Sequence, residues 1–225
     1  MRIHVEVLFT LDRDGRLLRV NEPGGTEAPR FFLGRTASGN AWWFRHDVSE
    51  TLRRELEAAC LAEPPGEEFL QAPYGVAMYE GALARVAPIE RRWAGPAFRF
   101  PDELPATRST IAVTTENADL LRPHLEAWLD DVVRCQPMHV AVSDGQTVAI
   151  CCSGRISNRA HEAAVETAAA FRHQGYGTRA VSAWASAVRS QGRIPLYSTS
   201  WDNTASLSLA RRLGLVRFGS DLHFT

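Results

Sequence analysis

The segment Arg172-His173-Gln174-Gly175-Tyr176-Gly177-Thr178 lies between two stretches of different periodicity. Before it, residues 162–170 are mostly small and apolar, which predicts a buried extended strand. After it, Val181, Trp184, Ala185 and Val188 recur at the spacing of one helix face. A strand, a glycine turn and a helix in that order point several free backbone N–H groups at one spot, with the positive end of the helix dipole behind them. A phosphate fits such a corner without any side-chain charge. Gly175 and Gly177 allow close backbone approach and positive φ, and Arg172 adds a fixed cation. The segment has neither the Gly-Lys-Ser/Thr ending of a P-loop nor the three-glycine dinucleotide fingerprint. Taken alone, it also fits an ordinary turn with packing glycines.

The rest of the composition narrows the setting. A net charge of −1 gives no global basic field for nucleic acid or an anionic membrane. All 25 basic residues are arginine. No apolar run approaches the roughly 20 residues that span a bilayer, and the first residues are too charged for a secretory signal. Cys60, Cys135, Cys151 and Cys152 lack the spacing or histidine pairing of a zinc site, so no metal is expected. They read as reduced and mostly buried in a cytoplasmic protein, with a catalytic thiol as the alternative.

Along the chain, Val5, Val7 and Phe9 alternate and predict a strand pairing with Leu17 to Val20 across Asp12 to Gly15. Residues 30–35 and 42–45 predict a second hairpin. Asp47 or Ser49 caps a helix carrying Leu52, Leu56 and Cys60, which Pro64-Pro65-Gly66 ends. A further helix is expected from Val76 to Val86 and an extended segment from Ile89 to Phe100. The prolines at 101 and 105 suggest a domain boundary in 101–108, and equally fit a loop inside one domain. Beyond it come a strand at Ile111 and Val113, a capped turn from Asn117, and a helix starting at Pro123 with a stripe of Leu125, Trp128, Leu129 and Val132. Strands follow at 139–142 and 148–152, then the strand, glycine turn and helix above. A strand at 194–201, a helix with Leu207, Ala210 and Leu213, and a last strand at 215–224 complete the order.

This β-α-α-β-β-β-α-β-α-β order over 109–225 resembles the GNAT N-acetyltransferases. Arg172, Gly175 and Gly177 match that family's Arg/Gln-x-x-Gly-x-Gly/Ala acyl-CoA loop. Val165-Glu166-Thr167 stands where the family meets the pantetheine arm, Asn203 and Ser206 where it places polar residues beside the cofactor, and Arg212-Leu-Gly-Leu215 at its Leu-Gly helix ending. The resemblance implies an α/β fold with a mixed sheet, a GNAT-like acetyl-CoA-binding domain at 106–225, and a smaller α+β domain at 1–105 that shapes the acceptor site.

The implied reaction moves acetyl from acetyl-CoA to a primary amine, small or peptidic, by direct attack in a ternary complex. The resemblance assigns cofactor binding to Val165, Thr167, Arg172, His173, Gln174, Gly175, Tyr176, Gly177, Thr178, Asn203 and Ser206. It implies that strands 162–170 and 194–201 splay to admit the pantetheine, with a freed N–H near Thr167 for the oxyanion. Glu166 is the first candidate base, with a solvent-facing or salt-bridged strand carboxylate as its other reading; His139 and His161 are weaker base candidates that also read as structural or exposed. Many relatives place an acidic Tyr where this chain has Ala210. A CoA-binding module without turnover is the alternative function. Relatives often form homodimers.

Overall fold

The computed structural model describes residues 1–22, 24–65, 72–105, 107 and 109–225. Gly66, offered above as part of a helix stop, and Ala106 and Arg108 of the expected boundary lie outside the described residues. The chain divides into two compact units. One holds Met1–Phe98, Ser198–Asn203 and Arg217–Thr225; the other holds Arg99–Tyr197 and Thr204–Val216.

In the first unit the N-terminal segment is a helix, α1 (Arg2–Leu8), not the expected strand. Its buried residues are His4, Val5, Val7 and Leu8. That spacing covers one helix face, and Arg2 pairs with Glu6 one turn on at 2.9 Å. The expected pairing survives only at its end, where β1 (Phe9–Leu11) meets β2 (Leu17–Val20) antiparallel. The hairpin β3 (Phe31–Thr36) and β4 (Gly39–Phe44) forms as expected. Ser49 caps α2 (Glu50–Ala62), its hydroxyl accepting from the Leu52 amide, and α3 (Val76–Ala84) follows. The extended segment contains β5 (Arg92–Arg99). The unit's strand order is β4-β3-β11-β5, with β11 (Val216–Phe224) antiparallel to β3. Phe31, Leu33, Phe44, Leu222 and Phe224 on the strands pack with Leu52, Leu56, Tyr79 and Leu83 of α2 and α3 in one apolar core.

The second unit begins with β6 (Thr110–Ala112), followed by two 3-10 segments, Ala118–Leu121 and Glu126–Asp131. The helix expected from Pro123 is therefore shorter and starts later. Leu121, Leu125 and Val132 are buried, so the apolar stripe fixes packing while the backbone takes the tighter turn. Then come β7 (Met138–Ser143), β8 (Gln146–Ile156) and β9 (Ala160–Thr167). A 3-10 turn at Ala169–Phe171 leads into α4 (Tyr176–Ser190), β10 (Ile194–Ser198) and α5 (Thr204–Arg212). Strand order is β10-β9-β8-β7-β6, with β10 parallel to β9 and the other pairs antiparallel. The strand expected over 162–170 stops at Thr167. Three alanines follow it, and alanine favours helical over extended backbone.

The register divides the sheet residues between two faces. Met138, Val140, Ile150 and Cys152 join Leu121, Leu125 and Val132 of the 3-10 side in one apolar cluster, with Ala164 packed against it. On the opposite side, the α4 residues Val181, Trp184, Ala185 and Val188 are buried as their spacing predicts. Trp184 donates its indole N–H to Ser153 Oγ at 3.0 Å, and Ser153 Oγ lies 2.8 Å from His161 Nδ1. Arg189, in the last turn of α4, donates to the carbonyls of Pro101 at 2.6 Å and Asp102 at 2.8 Å. All four cysteines are free and buried. Among the described residues no helix is long and apolar enough to cross a membrane, and no group of three His, Cys, Asp or Glu could hold a metal ion.

Candidate active site

The parallel pairing of β9 with β10 runs through Ile194–Ala160, Pro195–His161 and Leu196–Glu162 and ends there, while β9 continues to Thr167. Over that remainder β9 is held on one side by β8, with Val165 opposite Cys151 and Thr167 opposite Ala149. The Ala168 amide donates to the Val148 carbonyl at 2.9 Å. That bond marks Thr167–Ala149 as a wide, non-hydrogen-bonded pair of the antiparallel ladder. The backbone N–H and C=O of Thr167 therefore face away from β8, and alternation gives Val165 the same orientation. The Thr167 carbonyl accepts from Arg172 Nε at 3.2 Å, so Arg172 is tied to the end of the strand. Its Nε is engaged with protein backbone.

The turn after β9 passes from the 3-10 segment Ala169–Phe171 into the start of α4. His173 has φ +64° and Gly175 φ +85°, left-handed values that aim neighbouring amides into a concavity. Gly175 is the N-cap of α4; no side chain caps the helix and its first turn holds no acidic residue. The amides of Tyr176, Gly177 and Thr178 have no carbonyl four residues back within the helix. Gly177 has helical backbone, not the positive φ that its sequence pattern suggested. Its requirement is steric: a Cβ there would lie 3.0 Å from Thr167 Oγ1 and 3.1 Å from Leu209 Cδ1. The first turn of α4 thus packs tightly on the end of β9. Gln174 donates to the Ala170 carbonyl at 3.3 Å, and the Tyr176 hydroxyl donates to Ser143 Oγ at 2.7 Å. The Arg179 guanidinium lies 4.8 Å from the Tyr176 ring centroid. The side chain of His173 is exposed, and Thr178 is half-buried in the first turn.

Glu166 is exposed, opposite Ile150 in the register. It therefore shares the face of the 3-10 segments, whereas Val165 and Thr167 share the face of α4. Its carboxylate accepts from the Trp128 indole Nε1–H at 2.6 Å. Trp128 does pack against the apolar cluster, as its position in the stripe implies. The polar edge of the ring, bonded to a residue far away in the chain, has no signature in that spacing.

Tyr197 is the next residue after the last paired position of β10, and its buried hydroxyl hydrogen-bonds with Ser206 on α5. Burial pushes the Tyr197 phenol up to about 12, against a smaller lowering by the Ser206 hydrogen bond. Ala210 is 1% exposed and offers only a methyl. Asn203, in the other unit, is exposed, with its amide donating to the Ser200 carbonyl at 3.2 Å. Burial lowers the pKa of His139 and of His161, the latter with a further contribution from Arg193. Both sit on the α4 side of the sheet, away from the Glu166 face. Burial likewise raises the Cys151 thiol and takes Cys60 to about 12, which keeps both protonated and poorly nucleophilic.

Residues 139–219 match the family model of the GNAT acetyltransferases. No curated protein matches the chain. Among solved structures, an acetyltransferase from the GNAT family of Colwellia psychrerythraea superposes with a TM-score of 0.51 at 12% identity, covering 82% of this chain and 75% of that one. A GNAT-family acetyltransferase of Novosphingobium aromaticivorans superposes with a TM-score of 0.50 at 14% identity, covering 61% of this chain and 66% of that one. At such identities the likeness is one of fold. The family match runs from β7 into β11 and takes in the end of β9 and the turn into α4, so residues 139–219 are similar to a GNAT acetyltransferase domain.

Proposed function

We propose that the protein is an acyltransferase that moves acetyl from acetyl-CoA to a primary amine in a ternary complex. The observation that carries this reading is the helix start at Gly175: uncapped, free of acidic side chains, and placed beside the strand segment whose amides face away from β8. The amides of Gly175 to Thr178 hold the diphosphate, with Arg172, His173 and Gln174 at its rim. Val165 and Thr167 offer backbone hydrogen bonds to the pantetheine arm, and Ser206 is proposed to contact the cofactor as well. Acetyl-CoA brings the acyl group as an activated thioester.

Catalysis then requires proximity, a base and charge stabilisation. Glu166 takes a proton from the substrate ammonium. The amine nitrogen attacks the thioester carbon, the Thr167 N–H stabilises the developing oxyanion, a C–N bond forms, and the C–S bond breaks. Sulfur leaves as a thiolate and takes up, directly or through water, the second proton that the nitrogen sheds on becoming an amide; a thiol of pKa about 8.5 needs no strong acid to depart. Four free cysteines fit a cytoplasmic setting.

A second reading, a CoA-binding module without turnover, draws on one feature: Ala210 supplies no hydroxyl where many relatives place an acid. Thiol release from acetyl-CoA in the presence of ethanolamine, glycine, spermidine and a tripeptide separates the two. Acyl transfer predicts amine-dependent thiol release that Glu166→Gln lowers 100-fold or so, the low end for losing a general base. CoA binding with no release for any amine would favour the module.

A further inference from the structure

We propose that Trp128 is a positioning residue for Glu166: its indole N–H holds one carboxylate oxygen so that the other is presented to the acceptor ammonium. The proposal rests on the acyltransfer reading and on Glu166 as base. Four observations carry it. The bond is short, 2.6 Å from Trp128 Nε1 to Glu166 Oε2, and joins residues 38 apart in sequence. It is the sole hydrogen bond of the Glu166 side chain among the described residues, and no arginine forms an ion pair with it there. The donor is anchored: Trp128 lies in the 3-10 segment Glu126–Asp131, flanked by buried Leu125 and Val132 and packed against their cluster. The acceptor sits on a strand held in register with β8, Glu166 facing Ile150 of that cluster.

The chemistry follows from the donor type. An indole carries one N–H and no acceptor, so it cannot take the proton that the base removes. It binds the carboxylate without adding a positive charge that would repel an ammonium, as an arginine in its place would. An exposed glutamate otherwise samples several rotamers, and fixing one side chain removes that ordering cost from each encounter. With Oε2 occupied, proton transfer runs from the ammonium nitrogen to Oε1, and no other bond changes.

The test is steady-state acetyl transfer by the full-length protein, with acetyl-CoA and whichever of the four amines supports thiol release. Trp128→Phe keeps the apolar ring and removes the donor; its kcat should fall about tenfold with the KM for acetyl-CoA unchanged. Trp128→His, which keeps a ring N–H, should recover part of that loss. In a Glu166→Gln background, Trp128→Phe should lower kcat no further, because a residue that acts through Glu166 has nothing left to position. An unchanged kcat in Trp128→Phe, or a further tenfold fall in the Glu166→Gln background, would overturn the proposal while leaving acyl transfer intact. No amine-dependent thiol release by the wild type would overturn acyl transfer itself, and the role of Trp128 with it.

Discussion

Three titrating residues of the second unit carry a pH signature fixed by their surroundings. His139 and His161 have folded pKa values pressed below 6.5 by burial. The unfolded chain therefore binds protons first as pH falls, and the stability these residues contribute is present above pH 6.5 and lost below it. Tyr197 has the opposite sense: its phenol is raised from 10.0 to about 12, so its contribution is present below pH 10 and lost between pH 10 and about 12. Urea midpoints measured from pH 5 to 11 should thus fall at both ends. Tyr197→Phe should lessen the alkaline fall, to which the buried Cys60 and Cys151 thiols also contribute, without altering the acid one. The Trp184–Ser153–His161 chain adds a neutral-imidazole role, since Trp184 can only donate and the Ser153 hydroxyl can donate onward to Nδ1. His161 is thereby a structural residue of the α4 face.

Among the elements, the turn from β9 into α4 is the part whose geometry most depends on glycine. Gly175 needs its left-handed φ of +85°, so Gly175→Ala should cost about 1–2 kcal/mol in urea unfolding. Gly177 is helical, and Gly177→Ala meets Thr167 and Leu209 at 3.0 and 3.1 Å. Overpacking of that kind costs about 1–3 kcal/mol; the same unfolding measurement checks it. The sequence showed this turn clearly because two glycines and a change of periodicity mark it. It did not show which glycine answers to torsion and which to contact, since both read as the same letter. The same limit explains α1: Val5, Val7 and Phe9 satisfy a strand pattern, yet His4, Val5, Val7 and Leu8 satisfy a helical one, and packing decides between them.

At the scale of the molecule, local signals located most elements, and long-range pairing decided their grouping. The last strand β11 follows α5 in sequence, yet Asp221 pairs with Gly34 and Phe224 with Phe31 of β3. Nothing in residues 216–224 announces a partner near the start of the chain. Trp128 makes the same point for the site: its spacing revealed the buried face of the ring, while the N–H bond to Glu166 depends on the register of β9 against β8. The glycine turn, the Glu166 strand and the Leu-Gly helix ending were legible because each is encoded within a few residues. The side of the sheet that each residue faces was not, because alternation becomes an orientation only once a neighbouring strand is known.

The backbone amides opening α4 are proposed to hold the diphosphate of CoA. Calorimetric titration of CoA into the full-length wild type and into Gly177→Asp tests it most directly, with urea unfolding of both proteins as a control for fold. Saturable binding is expected for the wild type, and at least 100-fold weaker binding for a folded Gly177→Asp protein, which sets a negative charge in the first turn of α4 and disturbs its packing on Thr167. Equal affinity in the two proteins, or no binding by the wild type, would contradict it.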